Sequence, residues 1–174
     1  RLIAKSMLTS GRHVANVRSS DLMRETLSSW GVEQTTENLQ RLGRAMRDAF
    51  GLNVLPAALE HRLRSARGIV VWDGIRWFGD EALLRRLAPS CLVYVTASPI
   101  VRYDRLNLRR EKAEELSGVK MSWEGFLETE AQDNERDVPT IGARADHTIE
   151  NNFLEETALE KRVRDAARGA ARVG

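Results

Sequence analysis

Asp73, Gly74 and Arg76 directly follow the apolar run Ile69 to Trp72 in "IVVWDGIR", so a carboxylate and a guanidinium meet where a buried strand should stop. A carboxylate at a strand end can hold a hydrated Mg²⁺ beside transferring phosphates, and an arginine one turn away can grip the phosphate of an acceptor. The same dipeptide is also ordinary turn chemistry, because aspartate caps helices and glycine accepts positive φ. Arg102, Arg105 and Arg109 sit at i, i+3 and i+7, which on a helix puts all three on one face. The other reading of that row is a solvated stripe paired with Asp104, Glu111, Glu114 and Glu115. Ser20, Asp21 and Arg24 in "SSDLMR" and Asn151 with Asn152 after "HTIE" add polar groups at two further strand ends. Arg136 and Arg144, flanking "DVPTIGA", could close over the same anion from a covering segment. Arginine is far commoner than lysine in this chain, and its guanidinium binds phosphate and carboxylate as a fork.

Other chemistries find no support. His13, His61 and His147 lie in different elements without metal-ligand spacing. There is no cysteine pair, Ser-x-Gly elbow or His-Glu-x-x-His pattern, which removes acyl transfer and zinc hydrolysis. The lone Cys91, inside "CLVYV", cannot staple the fold and reads as a buried thiol in a reducing compartment, so a cytoplasmic location is expected. The tryptophans read as core or lid-edge packing, and Trp77 beside Arg76 could also stack on a ligand base. Apolar residues make up 42% and charged residues 30%, the balance of a soluble globular protein, and no run approaches the ~20 apolar residues of a membrane span. Basic residues exceed acidic ones by only two, and acids interleave the arginine-rich helix, which argues against nucleic acid. The expected partner is a small-molecule nucleotide, with neither nucleic acid nor membrane, and the expected state is a monomer or homodimer.

The elements that must position these residues alternate between strand and helix spacing, the α/β signature, and 174 residues suit one domain spanning residues 1–174. "HVANV", His13 to Val17, reads as a strand that delivers the chain to a helix capped by Ser20 or Asp21 and ended by Gly31. Thr36 is placed to cap a helix carrying Leu39, Leu42, Met46 and Phe50 on one side, and Leu55, Leu59 and Leu63 mark another. Ile69 to Trp72 reads as a parallel strand covered on both faces, followed by a helix from Asp80 to Leu87. Cys91 to Ala97 is the next strand, and Ser98 with Pro99 starts a helix that runs past Arg110. The acid-rich stretch from about Ser117 to Pro139 reads as a mobile cover with a short helix at Trp123, Phe126 and Leu127. His147 to Glu150 is a last strand, Leu154 to Arg168 a closing helix, and "GAARVG" a frayed tail. The expected architecture is a three-layer parallel sheet with helices on both faces, and ligands in such sheets sit beyond the carboxyl ends of the strands.

At these residues the sequence resembles the adenylate kinase and dephospho-CoA kinase branch of the P-loop nucleoside monophosphate kinase-like proteins. "SDLMRETL" resembles the acceptor-site helix, with Arg24 at the phosphate-gripping position, and "VVWDGIR" resembles the strand ending in Asp-Gly-x-x-Arg. "VTASPIVRYDRL" resembles the strand and helix leading into the lid, which puts Arg105 and Arg109 at lid-arginine positions. "RADHTIENN" resembles the last strand and the loop that touches the adenine of ATP. The resemblance implies a cytoplasmic kinase moving the γ-phosphoryl of ATP, with Mg²⁺, to a nucleoside monophosphate or a nucleotide-like acceptor such as dephospho-CoA. Residues of about 19–64 would bind the acceptor and residues of about 111–140 would form a mobile helical lid. Asp73 would serve the metal's water shell or a hydroxyl proton, and Ser20, Asp21, Arg24, Gly74 and Arg76 would hold the acceptor. Arg105, Arg109 and Arg136 would stabilise transferring charge, and Asn151 and Asn152 would line the adenine pocket.

The family's Gly-x-x-x-x-Gly-Lys-Ser/Thr loop is absent from these 174 residues, and "RLIAKSML" resembles the body of the helix that follows it. The expectation is therefore an upstream extension of about 15 to 25 residues, room for one central strand and the loop. The alternative is a non-catalytic relative that keeps the cleft and binds a nucleotide or a protein without turnover. Weighing the intact protein tests the first expectation: a natural start at Arg1 would count against phosphoryl transfer from ATP.

Overall fold

The computed structural model describes residues 14–87, 89–112, 120–131, 133–152 and 156–171. Strand β1 (Val14–Arg18) pairs in parallel with β2 (Ile69–Asp73), Val14 opposite Ile69 and Arg18 opposite Asp73. Between them run α1 (Ser19–Ser29), α2 (Thr36–Phe50) and α3 (Val54–Ser65). Helix α4 (Phe78–Arg86) leads to β3 (Val93–Thr96), which pairs in parallel with β4 (His147–Glu150). The crossover from β3 to β4 holds α5 (Pro99–Lys112), α6 (Trp123–Glu130), α7 (Asp133–Arg136) and α8 (Val138–Gly142), and α9 (Glu156–Ala171) follows β4. The α/β class, with parallel strands joined through helices, is as the alternating spacing implies.

The three-layer sheet expected from the sequence is not present among the described residues. The strands form two separate two-stranded sheets, β1-β2 and β3-β4, because β2 and β3 share no ladder and each leaves one edge unpaired. The side chains report the same thing. Ile69 to Trp72 are half-buried rather than covered on both faces, and Val95 is 48% exposed. A continuous apolar strand is fully enclosed only when neighbours flank both edges and helices cover both faces.

Local chemistry accounts for the helix starts. The backbone N–H of Arg18 donates to Asp21 Oδ2 at 3.1 Å, so Asp21 closes the first turn of α1 from inside it. Thr35, one residue before the expected cap, accepts from the Asn38 N–H at 3.1 Å, because the cap must still have the extended backbone that precedes the helix. Ser122 caps α6 by accepting from the Gly125 N–H. Among its described residues the covering segment contains three helical pieces where one was expected. It is held to α5 by an edge-on cluster of Tyr103, Trp123 and Phe126, and by Asn107, whose amide group pairs both ways with the Met121 backbone. Gly142 approaches β3 so closely that a Cβ there would lie 2.7 Å from the Tyr94 ring.

One core lies between the β1-β2 pair and its helices, built from Val17, Leu59, Leu63 and Leu83. A second joins α9 to the β3-β4 pair through Ile149, Val163 and Ala166. The expected apolar face of α2 ends differently: Leu39 is buried, but Phe50 is 70% exposed, and Trp30, expected in packing, is also exposed. Cys91 is half-buried, and desolvation, with Asp146 nearby, pushes its thiol pKa up. No helix among the described residues is long and apolar enough to cross a membrane. The helix expected at "RLIAKSML", the His13 end of the first strand, Ser117 and Gly118, Leu154 and the last residues of the tail lie outside the described residues. So do the side chain of Glu111 and residues Glu114 and Glu115.

Asp146 ties α4 to β3. Its Oδ2 accepts from the Leu92 N–H and from Arg85, both at 2.7 Å. Partial burial works against ionisation, but these hydrogen bonds outweigh it and hold the carboxyl below its usual pKa. A lowered folded-state pKa adds stability above the unfolded value and loses it as pH falls through the folded value. Acid unfolding followed by circular dichroism should therefore show a steeper limb below the ordinary carboxylate range for wild type than for Asp146→Asn. Leu83 is fully buried, and Leu83→Ala should lower unfolding free energy by about 2–5 kcal/mol in urea titrations.

Candidate functional site

The β1-β2 register places Arg18 opposite Asp73, and Arg18 Nε lies 3.7 Å from Asp73 Oδ2 at the carboxyl ends of both strands. Gly74 then takes φ +94°, a backbone that side chains with a Cβ rarely adopt. Ser19 holds this turn to α1: its Oγ donates to Gly74 O at 3.1 Å and accepts from Trp72 Nε1 at 2.9 Å. Past the turn, the N–H groups of Arg76 and Trp77 donate to Asp80 Oδ2 at 3.2 and 3.4 Å. Asp80 is only 2% exposed. Desolvation raises its pKa, opposed by the two N–H donors and by the charge of Arg47. The Arg47 guanidinium lies 4.1 Å above the Trp77 ring, so this ring, considered as a stacking face for a ligand base, is occupied from within. The Asp73–Trp77 segment is thus pinned at both ends, which leaves Arg76 projecting from a rigid turn.

A cavity of about 360 Å³ opens beyond the carboxyl end of β3, lined in part by Thr96, Arg102, Arg105, Arg109, Thr129 and Asn151. The helix from Pro99 does put all three arginines on this wall. Arg105 reaches across to the end of β4, donating to Asn151 O at 2.7 Å and, at 3.4 Å, to Asn151 Oδ1 and Asn152 O. Asn151 N–H donates to Thr96 O, and Asn152 Oδ1 accepts from the Ser98 N–H at 2.6 Å, so these two residues join the starts of both loops. Arg109 Nε donates to Arg105 O, and Arg102 Nη1 lies 2.6 Å from Glu130 Oε2. Glu135 also lines the cavity and forms an ion pair with Arg76, which brings the arginine of the β2 turn to the same place.

The remaining expected residues lie elsewhere. Ser20 and Arg24 are half-buried on α1, and no contact among the described residues ties Arg24 to Asp73 or Arg76. The Asp21 carboxylate is used as a cap. Arg136 is exposed beside Asp137, outside the cavity wall. Arg144 turns to α4, with Nη1 3.2 Å from Glu81 and its guanidinium 5.3 Å from the Phe78 ring. Among the described residues no three His, Cys, Asp or Glu side chains group as metal ligands. A second cavity, about 470 Å³ and mostly apolar, lies among α1, α2 and α3, lined by Leu22, Met23, Trp30, Leu42, Met46 and Leu55 among others. Ser19, Asp80, Glu130 and Glu135 were missed by sequence reasoning. Only Asp80 carried a usable signal, an acid in the first turn of a helix that follows a turn dipeptide.

No family model matches the chain. It is 30% identical to a UPF0200 protein of Hyperthermus butylicus over 142 residues, 80% of this chain and 74% of that protein. The chain belongs to the UPF0200 family. UPF0200 proteins of Aeropyrum pernix and Thermococcus onnurineus are 31% and 27% identical to it, each over 88% of this chain and over 76% and 83% of their own lengths. In this UPF0200 chain the buried Asp80 is the device that shapes the Arg76 turn. Asp80→Leu, which leaves two partly buried N–H groups without their acceptor, should cost about 1–3 kcal/mol of stability. Asp80→Asn, which keeps an acceptor and removes the desolvated charge, should lie close to wild type; urea denaturation of both variants checks this.

Proposed function

We propose that this UPF0200 chain is a phosphotransferase that moves the γ-phosphoryl of ATP, with Mg²⁺, to a nucleoside monophosphate or a nucleotide-like acceptor such as dephospho-CoA. The observation that carries this reading is the row of Arg102, Arg105 and Arg109 on one cavity wall beyond the strand ends, with Arg76 ion-paired to Glu135 of the same wall. Phosphoryl transfer asks for positioning and charge neutralisation rather than a side-chain nucleophile, and a row of guanidinium groups can supply both. The new P–O bond forms at an acceptor oxygen as the bond to ADP breaks, and Asp73 takes the proton where that acceptor is a hydroxyl. Arg76 would hold the acceptor's phosphate. Arg105 and Arg109 would neutralise the transferring group, and Asn151 and Asn152 would sit against the adenine of ATP.

Magnesium suits this donor set in one manner only. Mg²⁺ commonly keeps several waters and relies on one or two carboxylates plus substrate phosphates. Asp73, exposed at the end of β2, can serve such a water-mediated ion, and no dedicated protein cage is implied. The unpaired edges of β2 and β3 support the finer fold reading. One strand pairing with both would unite the two sheets in the order β1-β2-x-β3-β4 and deliver a phosphate-cradling loop to the same rim.

Full-length protein incubated with ATP, Mg²⁺ and a panel of nucleoside monophosphates and dephospho-CoA should form ADP with at least one acceptor. Nucleotide binding without any turnover across the panel would reject the enzyme and leave a binding module. Arg76→Ala should lower kcat/KM by about 100-fold or more. It should barely move Tm, because a partly exposed ion pair contributes only about 0–1 kcal/mol.

A further inference from the structure

Of the three arginines on the cavity face of α5, Arg102 is the one with a buried nitrogen that lacks a hydrogen-bond partner among the described residues. Its Nη1 is held by Glu130 Oε2 at 2.6 Å, whereas its Nε is buried and has no hydrogen-bond partner among the described residues. Arg105 spends its fork on the Asn151 and Asn152 carbonyls, and Arg109 Nε is taken by Arg105 O. A charged donor left buried without an acceptor is costly, so the cavity favours any ligand oxygen that can accept from it. Glu130 clamps one corner of the guanidinium, and the Nε edge on its other side belongs to a residue that lines the cavity with Thr96 and Thr129. That edge is one of the two over which arginine binds phosphate oxygens in pairs.

The charge balance of the wall agrees. Arg102, Arg105 and Arg109 face two carboxylates, Glu130 and Glu135, and Glu135 is already paired with Arg76. Positive charge remains in excess, and about 360 Å³ is room for a small organic anion.

We propose that Arg102 is a further binding residue of this cavity, donating from its Nε edge to a phosphoryl oxygen of a polyphosphate ligand while Glu130 orients it. The proposal rests on the phosphotransferase reading and adds a residue that the sequence pattern had placed on the helix face but not in the site. Isothermal titration of full-length wild type, Arg102→Lys, Arg102→Gln and the surface control Arg64→Lys with ADP and with inorganic pyrophosphate tests it.

Arg102→Gln should weaken binding of both probes by about tenfold or more. Arg102→Lys should weaken it as well, because lysine keeps the charge but lacks the Nε donor. The control should match wild type, and Tm should stay near the wild-type value in every variant. If Arg102→Gln does not fold, the comparison of Arg102→Lys with wild type decides alone. Wild-type affinity in a folded Arg102 variant would overturn the proposal and leave the phosphotransferase reading standing. A wild-type protein that binds neither probe would overturn both.

Discussion

Parallel pairing is the constraint on which the rest depends. It forces the carboxyl ends of paired strands onto one side, so the loops leaving β1 and β2 start together, as do those leaving β3 and β4. Arg18 therefore meets Asp73, and Arg105 on the helix after β3 meets the backbone of Asn151 after β4, 46 positions away in sequence. The Arg76–Glu135 pair spans 59 positions and links the turn after β2 to α7. None of these meetings needs a special local sequence. They follow from strand direction and from helices long enough to carry the chain back.

Two kinds of charge do different work at this rim. Asp80 is buried, and its ionised form is disfavoured by desolvation, yet it accepts from two backbone N–H groups and so sets the path of the turn that carries Arg76. The pairs Arg76–Glu135 and Arg102–Glu130 are partly exposed, and such pairs are weak in water and readily exchanged. A rigid backbone thus presents guanidinium groups whose present partners are carboxylates, the same fork chemistry by which arginine takes a phosphate. The buried charge costs stability to hold geometry, and the exposed charges leave the rim adaptable.

The split of the strands into two pairs bears on the same region. Open edges on β2 and β3 explain why the apolar run Ile69 to Trp72 is half-covered and why Val95 stands exposed beside the arginine cavity. Backbone donors and acceptors along those edges are available for pairing, and an additional strand there would also enclose these apolar side chains.

Much of the order of elements was legible in the sequence, because period and punctuation are local. His147 to Glu150 is the strand that the pattern predicts, Leu59 and Leu63 of the expected row are buried while Leu55 is half-buried, and Arg102, Arg105 and Arg109 share a face because 3.6 residues make a turn. The separation of the strands into two pairs was not legible, since hydrophobicity along Ile69 to Trp72 records a demand for cover and not which strand meets it. Nor were the partners of the arginines: Glu130 and Glu135 are two among many acids in a polar stretch, and Arg144 matched Arg136 in type and setting yet turned to Glu81. The sequence by itself determined the secondary elements and which residue types stand at their ends, because those depend on neighbours a few positions away. Only the tertiary structure decided which guanidinium groups share a cavity and which carboxylates are buried, because crossover paths and helix rotation set those contacts over distances that local periodicity does not encode.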